Sequence, residues 1–569
     1  MLAKQLYMHT VVFLKYLRHI KELEMSGLHT QQREQLQHKS QIVADLDSLF
    51  SEHGIAISGD GDHLVLIADG HHTIKYHKPG ILPAAPGKNL NGLPQLRFEG
   101  GEHTAIGDAT LLRFVKDAPG VPAWQVELHL PNGLALTYGQ VVALGGDFYG
   151  IPDQPICEGA TPVDRLQRFT AAFNSLAVLP AAKDEAKQIL AVMQKEIAAA
   201  NQALKDGRQP HEAYDALGDT LSEEWNKITG GGSFASALFP LGRYLKLAAN
   251  NADHFGEWAL LAYIAGHTAA LQQAVLAHKN ADEKQLELAY AMNAFADHFL
   301  TDLFSAGHVR VPRKQVAAVV TPSDLGSLIT RFMHDEDSKF GLNVSNAQGD
   351  RWHAYGDKRY FDTIDSNNRK QVKLAVQRSA DEIFESYLSG TAPTPGNFTA
   401  LKLLPDLNAA KSGNFSPLFV MQGDKVLRRS DVNNLNDTKT IDNWWGWSTY
   451  LLLKDYKPNK PAGYLEAPTL APSIQANGWQ SQTPSEPNWL PGNAVRYAFS
   501  YTNGLNESYI GPWSAYAELS DRFQPTLNVP VDTGSGSSGR NLFRQFRGGS
   551  PELIASIDKT ATTYIDRNA

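Results

Sequence analysis

The sequence predicts a multidomain protein in which a mainly α-helical domain is followed by an all-β sandwich at the C-terminal end. Three observations predict this. Ala-rich runs such as Glu185 to Leu204 repeat their apolar residues three and four apart, the period of an amphipathic helix, and such runs recur in pieces from Asp164 to Leu388. From about Glu466 the period becomes two, with Val495, Tyr497, Phe499 and Tyr501 on one face. Pro- and Gly-rich stretches at Pro79 to Pro94 and Thr391 to Gly396 separate these textures.

In chain order, residues 1 to about 52 read as helix, with no glycine before Gly27. Short strands follow around His63-Leu64-Val65-Leu66-Ile67, closing an N-terminal unit of residues 1–95. A strand pair is expected over Trp124 to Leu130 and Leu134 to Leu144, ending in Gly145-Gly146-Asp147-Phe148-Tyr149-Gly150. Helices are expected from Asp164 to Lys227, from the Asn250–Trp258 segment to His278, from Asp282, over 326–341, and from Arg369 to Leu388. Residues 96–392 therefore form the main domain. Residues 393–464 connect onward and carry a tryptophan cluster, Trp444-Trp445-Gly446-Trp447, that reads as core or interface. Residues 465–569, with strands bounded by Gly504–Ser508 and Gly511-Pro512, resemble a fibronectin type III-like module.

A length of 569 residues allows a sizeable core. A formal charge of -8 argues against nucleic-acid binding through a broad basic surface. The single cysteine, Cys157, excludes an intramolecular disulfide. The apolar start, Val11 to Leu14, is cut short by Lys15 and Arg18 and lacks the pattern of a signal peptide. No run reaches the ~18 consecutive apolar residues of a membrane-spanning helix. Export by a signal-peptide-independent route and residence in the cytoplasm are both compatible with this.

Chemistry concentrates in Phe295-Ala296-Asp297-His298-Phe299-Leu300-Thr301-Asp302-Leu303-Phe304-Ser305-Ala306-Gly307-His308. Positions i and i+4 share a helix face, so His298 and Asp302 point the same way. The Ser305–Gly307 segment can end the helix and return His308 toward them. Three potential ligands in an otherwise apolar run are hard to justify as packing. Neutral imidazoles and carboxylates converging on a divalent cation are what metal-assisted hydrolysis needs, and zinc favours nitrogen with some oxygen.

With Glu102-His103-Thr104, Gly146-Asp147-Phe148, Asp253-His254-Phe255 and Met333-His334-Asp335, this motif resembles the zinc-dependent phospholipase C and single-strand nuclease superfamily, more narrowly its bacterial metallophospholipase C branch. The resemblance spans roughly residues 96–390. It implies two or three Zn2+ ions held by His103, Asp147, His254, His298, Asp302, His308 and His334. Within that set, Asp302 would bridge two ions, His254 and His298 would complete one, His103 would serve its neighbour, and His308 with His334 would hold another. The catalytic residues implied are Asp302 and Asp147, the latter orienting or deprotonating the attacking water. Asp335, Asp337 and Asp357 are the alternatives for a carboxylate beside His334. His353 has ligand spacing to Asp357, but Tyr355-Gly356 reads as loop, so His334 is preferred. Founding members of the superfamily use the amino group of an N-terminal tryptophan, and this sequence begins with Met1, so unless it is processed that position is expected to be vacant or filled otherwise. His71, His72 and His77 lie outside the matching region and read as structural.

The implied activity is hydrolysis of phosphatidylcholine to diacylglycerol and phosphocholine, with a phospholipid membrane surface as partner and no obligate protein partner. Phe148, Tyr149 and Trp258 are candidates for the aromatic contact a quaternary ammonium needs. Two other functions compete. Arg310 and Arg313 beside His308 keep a nuclease for single-stranded nucleic acid in view. A non-enzymatic surface-binding protein would rely on the β module and the tryptophan cluster instead.

Overall fold

Helix α6 (Glu283–Asp302) is buried at every position from Ala289 to its end, and the surrounding elements are arranged to cover it. The computed structural model describes residues 100–567 apart from 218–219, 234–240, 251, 322, 482–493, 519–522 and 532–535, together with the backbone of three strands between Ile55 and His77. The helices that cover α6 or carry the site are α1 (Gly100–Asp108), α2 (Tyr138–Leu144), α3 (Pro162–Ala177), α4 (Ala182–Asp206), α5 (Gly256–Asn280), α7 (Ser323–Phe340) and α8 (Ser366–Ser389).

α5 and α6 form a tight hairpin. Ala281, at φ 50°, ends α5 in the left-handed region, and Asp282 caps α6 by accepting the Lys284 N–H at 2.9 Å. Gly266 permits the close approach: a Cβ there would stand 2.4 Å from the Phe169 ring and 2.6 Å from Ala296 Cβ. α5 is long and apolar enough to cross a membrane by length and composition, unlike anything expected from consecutive apolar residues. Its apolar side chains instead pack in the core with those of α3, α6 and α8.

The same core contains polar groups. Asp297 accepts hydrogen bonds from Tyr138 Oη and Ser379 Oγ, each at 2.6 Å, and burial lifts its carboxyl to about 7. Asn293 donates to Tyr138 Oη at 2.7 Å and to Ser379 Oγ at 2.9 Å, while His267 reaches Glu382 at 2.9 Å. A satisfied network of this kind ties α2, α5, α6 and α8 together and sets the rotation of α6.

The strand expected to run from Leu134 to Leu144 is corrected. Only Ala135–Leu136 pairs, with Leu128–His129, and α2 begins at Tyr138. Thr137 and Gln140 form a capping box, a local signal that outweighs the β-branched texture of the segment. The helix expected over residues 1–52, the stretch from Pro79 to Pro94 and His71 lie outside the described residues. Strands Ile55–Gly59, His63–Ala68 and His72–His77 form an antiparallel sheet in that order, with His72 and His77 at its ends.

Beyond α8 the chain packs back on α7. Strands Phe419–Gln422 and Lys425–Arg429 and helix Gly446–Leu453 share a core with Ile329 and Met333. Trp444 belongs to it, with its indole N–H on the Val426 carbonyl at 2.9 Å, whereas Trp445 is exposed. Arg429 is fully buried and pairs with both oxygens of Glu336 at 2.8 Å; Tyr456 also binds that carboxylate.

A C-terminal β region follows. Ser473–Ser481, Phe523–Asn528 and Thr563–Ile565 form one antiparallel sheet; Ala517–Glu518, Ala494–Thr502, Gly539–Phe546 and Glu552–Asp558 form another. Val495, Tyr497 and Phe499 face the core between them with Leu527 and Leu542. The region abuts the end of α4, where Gln545 and Trp513 donate to the Leu204 and Gly207 carbonyls at 2.7 and 2.9 Å.

Arg429→Leu strands Glu336 as a buried, unpaired carboxylate and is expected to cost about 3–5 kcal/mol in denaturant unfolding. A loss under about 1 kcal/mol would mean that the pair does not brace α7.

Candidate metal centre

Seven side chains separated by up to 231 positions of sequence meet at the C-terminal end of α6. His298 and Asp302 come from α6 and His103 from α1. Asp147 follows the end of α2, where Gly146 adopts φ +71°. A Cβ on Gly146 would stand 2.5 Å from His298 Cδ2 and 2.9 Å from His254 Cε1, so glycine is needed for both conformation and space. His254 ends the short Ala252–His254 turn ahead of α5. The preceding Asp253 accepts the Ile156 and Cys157 N–H groups at 2.7 Å each and holds that turn in place. His308 sits on the one-turn helix Ala306–Val309 with its ring stacked on Phe255 at 4.7 Å. His334 arrives from α7, which approaches closely because residue 307 is glycine: a Cβ there would stand 2.6 Å from His334 Cδ2.

With Asp357 as an eighth side chain, they fall into three groups, of which the first two share His298, namely His103/Asp147/His298, His254/His298/Asp302 and His308/His334/Asp357, in each of which one ligand atom per residue lies within 4.8 Å of the others. His298 Nε2 stands 3.7 Å from Asp147, 3.6 Å from Asp302 and 3.2 Å from His254 Nδ1. His254 Nδ1 is 2.8 Å from Asp302 and 3.9 Å from Asp147. Asp302 also lies 3.6 Å from His103 Nε2 and 3.7 Å from His308 Nδ1, which puts it between the groups. At the outer end, Asp357 Oδ2 is 3.4 Å from His308 Nε2 and 3.0 Å from His334 Nε2.

Neighbouring groups fix the histidine tautomers. His298 Nδ1 lies 2.9 Å from the Val142 carbonyl and His308 Nδ1 2.8 Å from the His254 carbonyl. A carbonyl only accepts, so both Nδ1 atoms carry a proton, and in a neutral ring of this kind the lone pair is on Nε2. Thr301 donates to the His298 carbonyl at 2.7 Å and therefore accepts from His103 Nδ1 at 2.8 Å, leaving His103 Nε2 free in the same way. Burial pushes His298 well below and His103 below the usual imidazole range. Burial would raise the Asp302 carboxyl, but His298, His308 and His254 hold it ionised. His334 differs: burial would lower it, yet Asp357 and Asp335 lift it to about 10.

Asp147 is 2 % exposed, and among the described residues neither of its carboxylate oxygens has a hydrogen-bond partner. Burial, with Asp302 and Asp357 nearby, pushes its carboxyl well above the usual range. A buried carboxylate without donors is costly unless a cation neutralises it. Ligands about 2.0–2.2 Å from a tetrahedral ion stand about 3.4 Å apart, and the separations of 3.2–3.9 Å around His298 Nε2 and Asp147 bracket that value. Imidazole and carboxylate donors suit a divalent metal ion, zinc among them. On these grounds the residues fit the implied metal.

The three alternatives for the carboxylate beside His334 are now distinguished. Asp357 faces the imidazoles, while Asp337 is taken up by buried Arg310 at 2.7 Å and Asp335 lies at the outer edge of His334, 3.0 Å from Nδ1, and pairs with Arg331 at 3.3 Å. His353 is engaged by Asn343 and the Phe340 carbonyl. The substrate-binding expectation for Phe148 and Tyr149 is corrected: both are fully buried, Phe148 stacked on Tyr244 and Tyr149 beneath Arg243. Trp258 is half-buried and one ring face already carries Lys314 Nζ at 4.3 Å from the centroid. Arg310 and Arg313 form no open basic groove, since Arg313 is buried against the Ala248 carbonyl and the Phe255 ring. The residue missed as a ligand neighbour is Glu102, adjacent to His103 and buried with it.

No protein-family model matches the chain. Over 81 residues, 14% of its length, it is 35% identical to alpha-latrotoxin-Lhe1a of Latrodectus hesperus and 33% identical to alpha-latrotoxin-Lt1a of Latrodectus tredecimguttatus. The match spans only 5% and 6% of those proteins. Among solved structures, the alpha toxin from Clostridium absonum aligns with 66% of this chain and 97% of its own, at 12% identity and a TM-score of 0.10. The Clostridium perfringens alpha-toxin aligns with 56% and 87%, also at 12% and 0.10. Scores at this level carry no argument about the fold.

Two outcomes follow from the geometry. To bind a metal through Nε2, His334 must surrender a proton held up to about pH 10, so uptake of the outer ion at pH 7 should release about one proton and tighten about tenfold per pH unit toward pH 10. Calorimetric zinc titrations in buffers of different ionisation heat measure this, and uptake without proton release contradicts the assignment. Gly146→Ala is expected to displace His254 or His298 and weaken zinc binding by more than about tenfold in equilibrium dialysis; unchanged affinity would contradict the contact.

Proposed function

We propose that this chain is a zinc-dependent phospholipase C that hydrolyses phosphatidylcholine to diacylglycerol and phosphocholine at a membrane surface. The observation that supports this reading is the convergence of His103, Asp147, His254, His298, Asp302, His308 and His334, with Asp357, in three groups of ligand type. Bound zinc would supply Lewis-acid polarisation of the phosphoryl oxygens and water acidified to a pKa of about 7.

The chain's own residues do the rest. Asp302, held ionised and placed between the groups, would be the carboxylate shared by bound ions. The Nδ1 contacts of His103, His298 and His308 keep those rings oriented with Nε2 inward. Asp147 has unengaged oxygens beside the inner histidines and is the group to orient the attacking water or take its proton. His334 and Asp357 have side chains 15% and 14% exposed, against 0% for His298, so the substrate phosphodiester enters from the outer side. The choline preference comes from the family resemblance alone, because Phe148 and Tyr149 are withdrawn into the core. We read the C-terminal β region as a fibronectin type III-like module, supported by its two antiparallel sheets around a shared apolar core. The engagement of Arg310 and Arg313 within the fold weighs against the nuclease reading.

Release of phosphocholine from lecithin, abolished by chelation and restored by zinc, is the expected result. Nucleotide release from single-stranded DNA in its place would transfer the chain to the nuclease reading. Asp302→Asn should lower phosphocholine release by more than about 100-fold and reduce bound zinc; full turnover in that variant would defeat the ligand assignment.

A further inference from the structure

Asp357 does not hang freely at the outer group; the segment on its C-terminal side is tied to the inner one. Glu102 precedes His103 on α1 and is buried. Its Oε2 accepts the Lys358 N–H at 3.2 Å and its Oε1 the Tyr360 N–H at 3.0 Å. Lys358, directly after Asp357, adopts φ 70°, a left-handed conformation that a non-glycine residue keeps only when its surroundings impose it. Other contacts hold the segment preceding Lys358: Ser305 Oγ donates to Asp357 at 2.6 Å, the Ala306 N–H to the Tyr355 carbonyl at 3.1 Å, and the Gly356 N–H to the Ser338 carbonyl at 3.1 Å. The bend after Asp357 is held by Glu102, whose neighbour His103 belongs to the inner group.

We propose that Glu102 is a positioning residue that couples the two ends of the metal centre, fixing Asp357 against His308 and His334 by accepting the Lys358 and Tyr360 amides. The proposal rests on the metal-centre reading above. Its chemistry is selective. Two N–H donors need two accepting oxygens, which a carboxyl group offers and a primary amide does not, because one amide end is itself a donor. Glu102→Gln keeps the size and loses one acceptor, turning one bond into a donor–donor contact. Glu102→Asp keeps both acceptors on a shorter stem.

The test uses the full-length wild type, Glu102→Gln and Glu102→Asp, each stripped with a chelator and titrated with zinc by equilibrium dialysis. Unfolding of the metal-free chains and the visible spectra of cobalt-loaded chains are recorded alongside. Expected is a loss of at least tenfold in affinity for the last-filled zinc in Glu102→Gln, beyond what any change in the metal-free unfolding midpoint accounts for, with the first-filled zinc and the inner-site cobalt bands unchanged. Glu102→Asp should fall between. Wild-type affinity for every equivalent in Glu102→Gln overturns the proposal. So does a uniform loss over all equivalents, or a lowered metal-free midpoint that accounts for the whole effect with no recovery in Glu102→Asp, since each assigns Glu102 to the fold alone. A wild type that takes up no zinc defeats the metal-centre reading itself, which is a different result.

Discussion

The structure depends on the burial of α6 on all sides along its last four turns. A helix in that position has no water to satisfy its side chains, so every polar group it carries must find a partner in the protein or in a bound ion. Two of them, Asn293 and Asp297, find one in Tyr138, Ser379 and the network that reaches Glu382 through His267. Two more, His298 and Asp302, face the opposite way, into a cluster where Asp147 accepts no hydrogen bond among the described residues. One helix thus separates a polar region completed by protein from one whose composition calls for a cation. The network on the first side fixes the rotation that aims the ligands on the second.

The elements around α6 are adapted to deliver ligands at close quarters. Gly146 and Gly307 stand where a methyl group would strike a histidine. α7, which brings His334, is held between two buried ion pairs, Arg310 with Asp337 and Arg429 with Glu336, so the chain beyond α8 contributes to the geometry of the centre without touching it. Replacing a buried pair by apolar residues need not destabilise a fold, but removing one partner does. The placement of these pairs on consecutive residues of one ligand helix gives them a geometric role.

Much of this was legible in the sequence because the spacing of His298, Asp302 and His308 is local and obeys helical periodicity. The β alternation of Val495, Tyr497 and Phe499 was legible for the same reason, and these residues face the core as the pattern requires. What failed was non-local or hidden by texture. The Tyr138–Leu144 segment has a strand-like composition, and only the capping box of Thr137 and Gln140 marks it as a helix. Phe148 and Tyr149 adjoin Asp147 in sequence, yet the turn that aims Asp147 into the cluster sends both rings into the core. Asp357 could not be separated from Asp335 and Asp337 because the distinction depends on which carboxylates the arginines of other segments occupy.

The difference in exposure between the two ends of the centre has a kinetic consequence. His298 is sealed, whereas His334 and Asp357 border solvent. A bound ion among His254, His298 and Asp302 could leave only when the helices around it part, so its residence time would follow the opening of the fold. A bound ion at His308, His334 and Asp357 would exchange with its surroundings without such an opening. The protein would therefore carry one metal population with the lifetime of the folded domain and another that tracks the free metal concentration around it.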